Sequence, residues 1–368
     1  MESWKNDTRT VLTLDAGGTN FVFSAMQGFE EAAEPVRLPA HANDLAKSLE
    51  TMVSGFRQVS GRLKTKPSAI SFAFPGPADY PNGIIDNVGN LPAYAGGVAL
   101  KDFLEETFGI PVFINNDGDL FAYGEAIAGF LPKVNRMLEE AGSHKRYSKL
   151  FGVTLGTGFG GGIVADGRLY VGDNSAAGEI WIVRQKRYPN SFAEEGVSIR
   201  AVRGSYARLA GAALEEVPSP KEIYEIGIGQ REGNRSAALG AFAELGEVLG
   251  DALANAITLL DGLIVIGGGL SAAYPLFIDA VLAEMNGQLE SYSGKKFDRL
   301  VQRCFDLESE EGRRAFLAGQ VKEIRVPGSN RTVRYDSMKR IGIGRAVMET
   351  SRAVSVGAYA FALSQLDR

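Results

Sequence analysis

The sequence predicts an α/β protein with mixed sheets flanked by helices, and three features predict it. Apolar runs of strand length alternate with helical stretches along most of the chain. Glycine-rich turns interrupt it at Leu14-Asp15-Ala16-Gly17-Gly18-Thr19-Asn20 and at Leu155-Gly156-Thr157-Gly158-Phe159-Gly160-Gly161-Gly162, each entered from one apolar run and left into another. A third turn, Gly267-Gly268-Gly269-Leu270-Ser271, closes a buried strand and opens a helix, the place where ligands bind in open α/β sheets.

Taken in order, Thr10 to Leu14 and Phe21 to Met26 read as a hairpin, followed by a weaker strand from Val36 to Pro39. Leu45, Leu49, Met52, Val53 and Phe56 recur at helical spacing behind an Asn43 or Asp44 cap. A buried strand from Ala69 to Phe74 ends in Pro75-Gly76-Pro77. A helix near Leu100 to Phe108 then leads to a strand from Val112 to Asn115. After Asp117 the chain enters a helix through Gly124-Glu125-Ala126, and the second glycine turn repeats the opening strand-turn-strand pattern, a weak internal duplication. Ser236 to Leu260 is a long helix of small residues feeding the strand Gly262 to Ile266. Leu289 to Gly344 is irregular, with a hairpin from Ile324 to Val333, and Ala353 to Leu366 is a closing apolar helix.

The turns carry the first chemical argument. A glycine has no β-carbon, so its amide can approach a phosphate oxygen without steric cost. In the first turn Asp15 can hold Mg²⁺ or its waters, while the Thr19 hydroxyl and the amides of Gly17, Gly18 and Asn20 can donate to a phosphate. Gly156, Gly158 and Gly161 satisfy G-x-G-x-x-G, yet an apolar run and an Asp166-Gly167 turn follow where the dinucleotide fingerprint needs a helix, so that reading is rejected. Two ordinary hairpins remain the plain alternative for either turn alone.

Composition narrows the rest. The 368 residues allow two domains, and 45% apolar with 23% charged content is that of a globular enzyme. A net charge of -5 and the lack of a basic stripe interleaved with aromatics argue against a nucleic-acid surface. The cluster Lys339, Arg340, Arg345 reads as short and solvated. No apolar run reaches membrane-spanning length, and Met1 to Arg9 lacks a signal-peptide core, so a cytoplasmic location is expected. One cysteine, Cys304, and two histidines, His41 and His144, exclude a Cys/His metal cluster and an intrachain disulfide. A homodimer is the expected assembly.

At Ile114-Asn115-Asn116-Asp117 a strand ends in an acid, which is where a base could take the proton of a substrate hydroxyl during phosphoryl transfer. Asp117 is therefore the candidate base, with a helix N-cap as the other reading of the same residue. Asn116 and Asn90 offer the donor-acceptor pairs that sugar hydroxyls need, and each could equally form a turn. Glu179, in Ala177-Gly178-Glu179, and Glu194, in Phe192-Ala193-Glu194-Glu195-Gly196-Val197-Ser198, are acidic acceptors that taken singly read as surface charges.

Together these segments resemble the ROK (repressor, open reading frame, kinase) sugar kinases of the actin-like ATPase superfamily, over nearly the whole chain and in order. The first turn resembles that family's first phosphate motif, Pro75-Gly76-Pro77 its proline-glycine loop, and Asn90-Leu91-Pro92 with Asn116-Asp117 its sugar and catalytic segments. Thr154 to Gly160 resembles the second phosphate motif and Gly267 to Ser271 the adenosine motif. The resemblance implies a two-lobed, ribonuclease H-like fold with an active-site cleft between lobes. Residues 1–117 with 350–368 would form one lobe, and residues 118–349 the other, carrying an insertion at 289–344. It also implies ATP and Mg²⁺ as cofactors, with nucleotide contacts from Gly156, Thr157, Gly158, Gly268 and Gly269. Asp117 becomes the general base, and Asn90, Asn116, Asp117, Glu179 and Glu194 the sugar contacts, Glu194 because Ser198 follows at the family's spacing.

One departure stands out. The family's zinc-binding histidine, three residues after the glutamate of the Gly-Glu motif, is Ile182 here, and Gln185 to Phe192 contains none of the family's cysteines. Structural zinc is not expected. The expected function is ATP-dependent phosphorylation of a hexose or N-acetylhexosamine hydroxyl. The alternative is a non-catalytic sugar sensor or repressor, although only nine residues precede Thr10 where the family's repressors carry a helix-turn-helix.

Overall fold

The computed structural model describes residues 2–368 except Pro77, Asn87 and Asn90. Asn90 and Pro77, both singled out from the sequence, lie outside the described residues. The chain divides into two compact units: residues 1–132, 162–178 and 347–368 form the first, and residues 133–161 and 179–346 the second. The first thus runs past the boundary at 117 expected from the sequence, because the helix after Asp117 packs within it.

The first unit is built on strands β1 (Val11–Ala16), β2 (Asn20–Gln27) and β3 (Glu30–Pro39), then helix α1 (Leu45–Ser60) and strand β4 (Ala69–Ala73). Helix α2 (Leu100–Phe108), strand β5 (Val112–Asn115) and helix α3 (Asp117–Ile127) follow. The sheet order is β3-β2-β1-β4-β5, antiparallel from β1 to β3 and parallel from β1 through β4 to β5. Strand alternation explains its two buried faces. Leu12, Leu14, Ile70 and Phe72 pack with Phe23 and with Phe56 of α1. Val11 and Ala69 pack instead with Val356, Tyr359 and Leu363 of the closing helix. Helix α1 begins where the sequence places it, with the Asp44 carboxylate accepting from the Lys47 amide. The weak strand at Val36 extends back to Glu30, through mostly exposed residues whose polarity hides a paired strand.

Three two-residue strands, Ala78–Asp79, Ile84–Ile85 and Val98–Ala99, make a small separate sheet between β4 and α2.

The second unit opens in helix α4 (Phe130–Glu140) and carries strands β6 (Lys149–Leu155) and β7 (Phe159–Ala165), the latter running on into the first unit, where it pairs with β8 (Arg168–Tyr170). Helices α5 (Ile199–Ala210), α6 (Pro220–Gly227) and α7 (Arg235–Leu260) follow, then strand β9 (Leu263–Gly267), helix α8 (Tyr274–Met285) and strand β10 (Arg303–Asp306). Helix α9 (Glu310–Ala318), the hairpin β11 (Val321–Arg325) and β12 (Thr332–Asp336), strand β13 (Arg340–Arg345) and helix α10 (Thr350–Leu366) complete the chain, α10 in the first unit. Strands β6, β9, β13 and β10 are neighbours in that order and all parallel. Every residue of β9 is buried, as its unbroken apolar run requires. Arg340, read from the sequence as solvated, is only 2% exposed: its guanidinium donates to Asp336 at 2.6 Å and lies over the Phe316 ring. No helix among the described residues is long and apolar enough to cross a membrane.

Helix α10 meets α3 through glycines on both sides. A β-carbon on Gly357 would collide with the Leu120 carbonyl, and one on Gly124 with the Ala353 carbonyl. Next to Gly124, the buried Glu125 carboxylate accepts from the amides of Phe130 at 2.8 Å, Met348 at 2.9 Å and Val347 at 3.1 Å, tying the start of α4 and the entry to α10 to one side chain.

Gly357→Ala should therefore cost about 3 kcal/mol, lowering the thermal midpoint of the first unit by roughly 6–12 °C. Gly204, in α5 with open space around it, is the control: Gly204→Ala should raise stability by about 0.5–1 kcal/mol. Equal effects of the two substitutions in differential scanning calorimetry would refute the close-packing argument.

Candidate functional site

The parallel register of β1, β4 and β5 pairs Asp15 with Ala73 and Ala73 with Asn115, so three strand ends come level in the first unit. Asp15 is exposed at the end of β1. The turn that follows is closed by the Gly17 amide donating to the Asn20 carbonyl at 3.1 Å, and the Ala40 amide donates to the Thr19 carbonyl at 3.0 Å. Gly17 leaves 3.0 Å between a built β-carbon and the Asn20 carbonyl, so the turn is tight. Thr19 is exposed.

At the end of β5, Asn116 rather than Asp117 is the N-cap of α3, its Oδ1 accepting from the Gly118 amide at 2.8 Å. Asp117 is the first helical residue, and its Oδ1 accepts from the same amide at 2.8 Å. Its carboxylate stays open to solvent, yet surrounding protein displaces enough water to push its pKa above the usual aspartate value, the neighbouring charge of Asp15 adding to the rise. The Asn116 Nδ2 donates to the Tyr80 hydroxyl at 3.4 Å, which in turn donates to the Phe74 carbonyl at 3.1 Å. A side chain at Gly76 would displace that hydroxyl. Tyr80 carries no motif of its own; its one sequence signal is its place just after the Pro75-Gly76-Pro77 loop.

In the second unit the second and third glycine turns come together. Strands β6 and β9 pair in parallel with Gly267 beside Thr154. Gly268 has φ +83°, and a β-carbon there would strike the backbone of Leu155. Gly156 and Gly269 have open space where a β-carbon would point, so the backbone on that side is free to meet a ligand. The turn itself is closed by the Gly156 amide on the Gly158 carbonyl at 3.0 Å.

Glu194 is brought to this turn, accepting from the Phe159 amide at 2.9 Å and from the Arg200 guanidinium at 2.7 Å. Glu179 is exposed and accepts from the Trp181 indole N–H. Ser198 caps α5 through its Oγ, which accepts from the Ala201 amide. The two units thus hold separate halves of the predicted site: Asp15, Gly17, Gly18, Thr19, Asn20, Asn116 and Asp117 belong to the first, and Gly156, Thr157, Gly158, Glu179, Glu194, Gly268 and Gly269 to the second.

The loop from Val183 to Ala193 lacks the donors that zinc needs. Ile182 stands 59% exposed, and no thiol lies between Gln185 and Phe192. Instead the Ala193 amide donates to the Val183 carbonyl at 2.8 Å, the Gln185 amide to the Ser191 carbonyl at 3.1 Å, and Trp181 stacks edge-on against Phe192. Arg187 bridges Glu244 and Glu247 of α7 at 2.9 and 2.8 Å, and Lys186 reaches Glu284 of α8 at 2.6 Å and Glu247 at 3.1 Å.

The first unit thus carries a mixed sheet with a hairpin start, and the second four parallel strands with glycine turns at strand ends. The ROK family model matches residues 11–306, and the chain belongs to the ROK family. It is 30% identical over 272 residues to the N-acetyl-D-glucosamine kinase of Vibrio cholerae, spanning 70% of this chain and 83% of that protein. The glucokinase of Halalkalibacterium halodurans is 27% identical over 308 residues, 77% of this chain and 86% of its own length. Among solved structures, the glucokinase of Parabacteroides distasonis is 55% identical, with a TM-score of 0.90 over 98% of this chain and 99% of that one.

If ion pairs rather than a metal hold the loop at Lys186 and Arg187, a chelator should leave the unfolding midpoint unchanged. Replacing both residues by methionine should cost about 1–2 kcal/mol in total. A midpoint that falls with chelator would show a structural metal instead.

Proposed function

We propose that this ATP-dependent carbohydrate kinase transfers the γ-phosphoryl of ATP to a hydroxyl of glucose or an N-acetylhexosamine, the primary 6-hydroxyl, with Asp117 as general base. The observation that carries the reading is the placement of Asp117 at the head of α3, near Asp15, exposed and raised in pKa by its surroundings. As the sugar oxygen bonds to the γ-phosphorus, Asp117 takes the hydroxyl proton and the bond from that phosphorus to the ADP oxygen breaks.

Asn116 has its Oδ1 engaged in the cap and its Nδ2 on Tyr80, so a sugar hydroxyl would meet a side chain already fixed in orientation. Glu179 and Glu194 supply acceptors in the second unit, and Asn90 is assigned to the sugar with them. Gly18, Thr19 and Asn20, together with Thr157 and Gly158, would donate to phosphate oxygens, while Gly17 and Gly156, whose amides close the two turns from within, would shape the backbone around the phosphates; Gly268 and Gly269 would let the adenosine approach the backbone. The exposed Asp15 carboxylate is a hard oxygen donor of the kind Mg²⁺ takes, directly or through water. The metal would neutralise charge on the phosphates.

The relatives named N-acetylglucosamine kinase and glucokinase support both sugars, so the test is ADP release from ATP against hexoses, N-acetylhexosamines and fructose. One sugar class should drive turnover. Asp117→Asn should lower kcat by roughly 10²–10⁴-fold, with the sugar still raising the thermal midpoint. Full activity in that variant would remove Asp117 from the mechanism. Sugar binding without any turnover in the native protein would favour a sensor.

A further inference from the structure

We propose that Arg200 is a positioning residue which, by holding Glu194, couples sugar binding to the shape of the second phosphate turn. The inference rests on the reading above, in which Glu194 meets the sugar and Gly156 to Gly158 meet the phosphates. It adds a residue and a coupling that neither motif contains.

The turn has little of its own to fix it. Two of its three residues are glycines, it is closed internally by the Gly156-to-Gly158 hydrogen bond, and Gly156 faces open space. A segment so free of side chains takes its conformation from its neighbours. Here the neighbours come from one stretch, Glu194 to Arg200. The Ile199 amide donates to the Gly156 carbonyl at 2.9 Å, the Arg200 Nη1 to the Thr157 carbonyl at 3.4 Å, and the Phe159 amide to the Glu194 Oε2 at 2.9 Å. Both ends and the middle of the turn are therefore held by the segment that carries Glu194.

Arg200 completes the arrangement. Its Nη2 donates to the Glu194 Oε1 at 2.7 Å, and the guanidinium also pairs with Glu195 at 2.6 Å. With Glu194, Glu195 and the Thr157 carbonyl all engaged, the guanidinium is committed to protein acceptors. Gly158 is part of the same fit, since a β-carbon there would stand 2.8 Å from the Glu194 Oε2 and push the carboxylate away.

A carboxylate has about four lone-pair positions. The Phe159 amide and Arg200 occupy one on each oxygen, which leaves capacity for a sugar hydroxyl on a side chain already locked to the turn. Any shift that the sugar imposes on Glu194 is passed to the Phe159 amide, and any displacement of the turn moves the sugar's acceptor. Arg200 keeps the carboxylate in the one orientation that serves both.

The test is the affinity for a non-hydrolysable ATP analogue, measured by calorimetry with and without saturating sugar, in the native protein, Arg200→Lys and Arg200→Met. In the native protein the sugar should tighten nucleotide binding by about tenfold, a typical coupling between sites. In Arg200→Met that ratio should fall towards one, while the thermal midpoint, set elsewhere, stays within a degree or two, as expected for an exposed ion pair. Arg200→Lys should recover part of the ratio through its remaining charge. An unchanged ratio in Arg200→Met, or a lowered midpoint as its only effect, would overturn the proposal. Native ADP release measured alongside separates the failures: sugar-dependent turnover with an unaffected ratio defeats the coupling alone, whereas no sugar-dependent turnover and no sugar binding defeat the kinase reading and the coupling with it.

Discussion

The contact between α3 and α10 is the constraint on which the first unit depends. Gly124 and Gly357 let two helix backbones approach where side chains would collide, and the closeness is what allows the last helix of the chain to pack on Val11, Ala69 and Phe113 at the back of the sheet. Position along α3 is then fixed from both ends. Asn116 caps its first turn, and Glu125 near its last turn gathers three backbone amides from two other segments. Asp117, the first residue of α3, takes its place from that arrangement, its own hydrogen bond being the local one from the Gly118 amide. Buried unpaired amides are costly, so the Glu125 carboxylate is the polar counterpart of the glycine contacts.

The second unit solves a different problem. Parallel strands buried on both faces end at one edge, and the backbone must leave that edge without blocking it. Gly268 does so with a positive φ and no side chain against Leu155, so the third turn is stacked directly on the second. The outer side of the second turn is then braced by the Glu194 to Arg200 segment, whose own position is set by the Ser198 cap of α5. Glycine serves here as the means of bringing backbone to backbone, in the same way as at the α3–α10 contact.

Much of this was legible in the sequence because it is local. The hairpin shows in two apolar runs joined by a glycine turn, α1 in its periodicity and Asp44 cap, and β9 in an unbroken apolar run. The glycine turns announce themselves by composition. What escaped is what depends on partners distant in the chain. The exposed, acidic start of β3 gives no apolar signal, and Arg340 reads as a surface cation until Asp336 and Phe316 surround it. Asn116 takes the capping role that residue type alone would equally give Asp117, and the two side chains share the Gly118 amide, which leaves the second oxygen of the Asp117 carboxylate for other work. Tyr80, Glu125 and Arg200 act through hydrogen bonds to backbone or to another site residue, and no spacing rule marks them.

The account turns on Asp117 acting as a base in a partly desolvated position, and the pH dependence of kcat/KM for the preferred sugar tests that most directly. A base works deprotonated, and the water displaced by surrounding protein, together with the Asp15 charge, raises the pKa of Asp117. The acid limb of the profile should accordingly fall at a higher pH than an ordinary aspartate would give. An acid limb at the ordinary aspartate value would contradict the assignment.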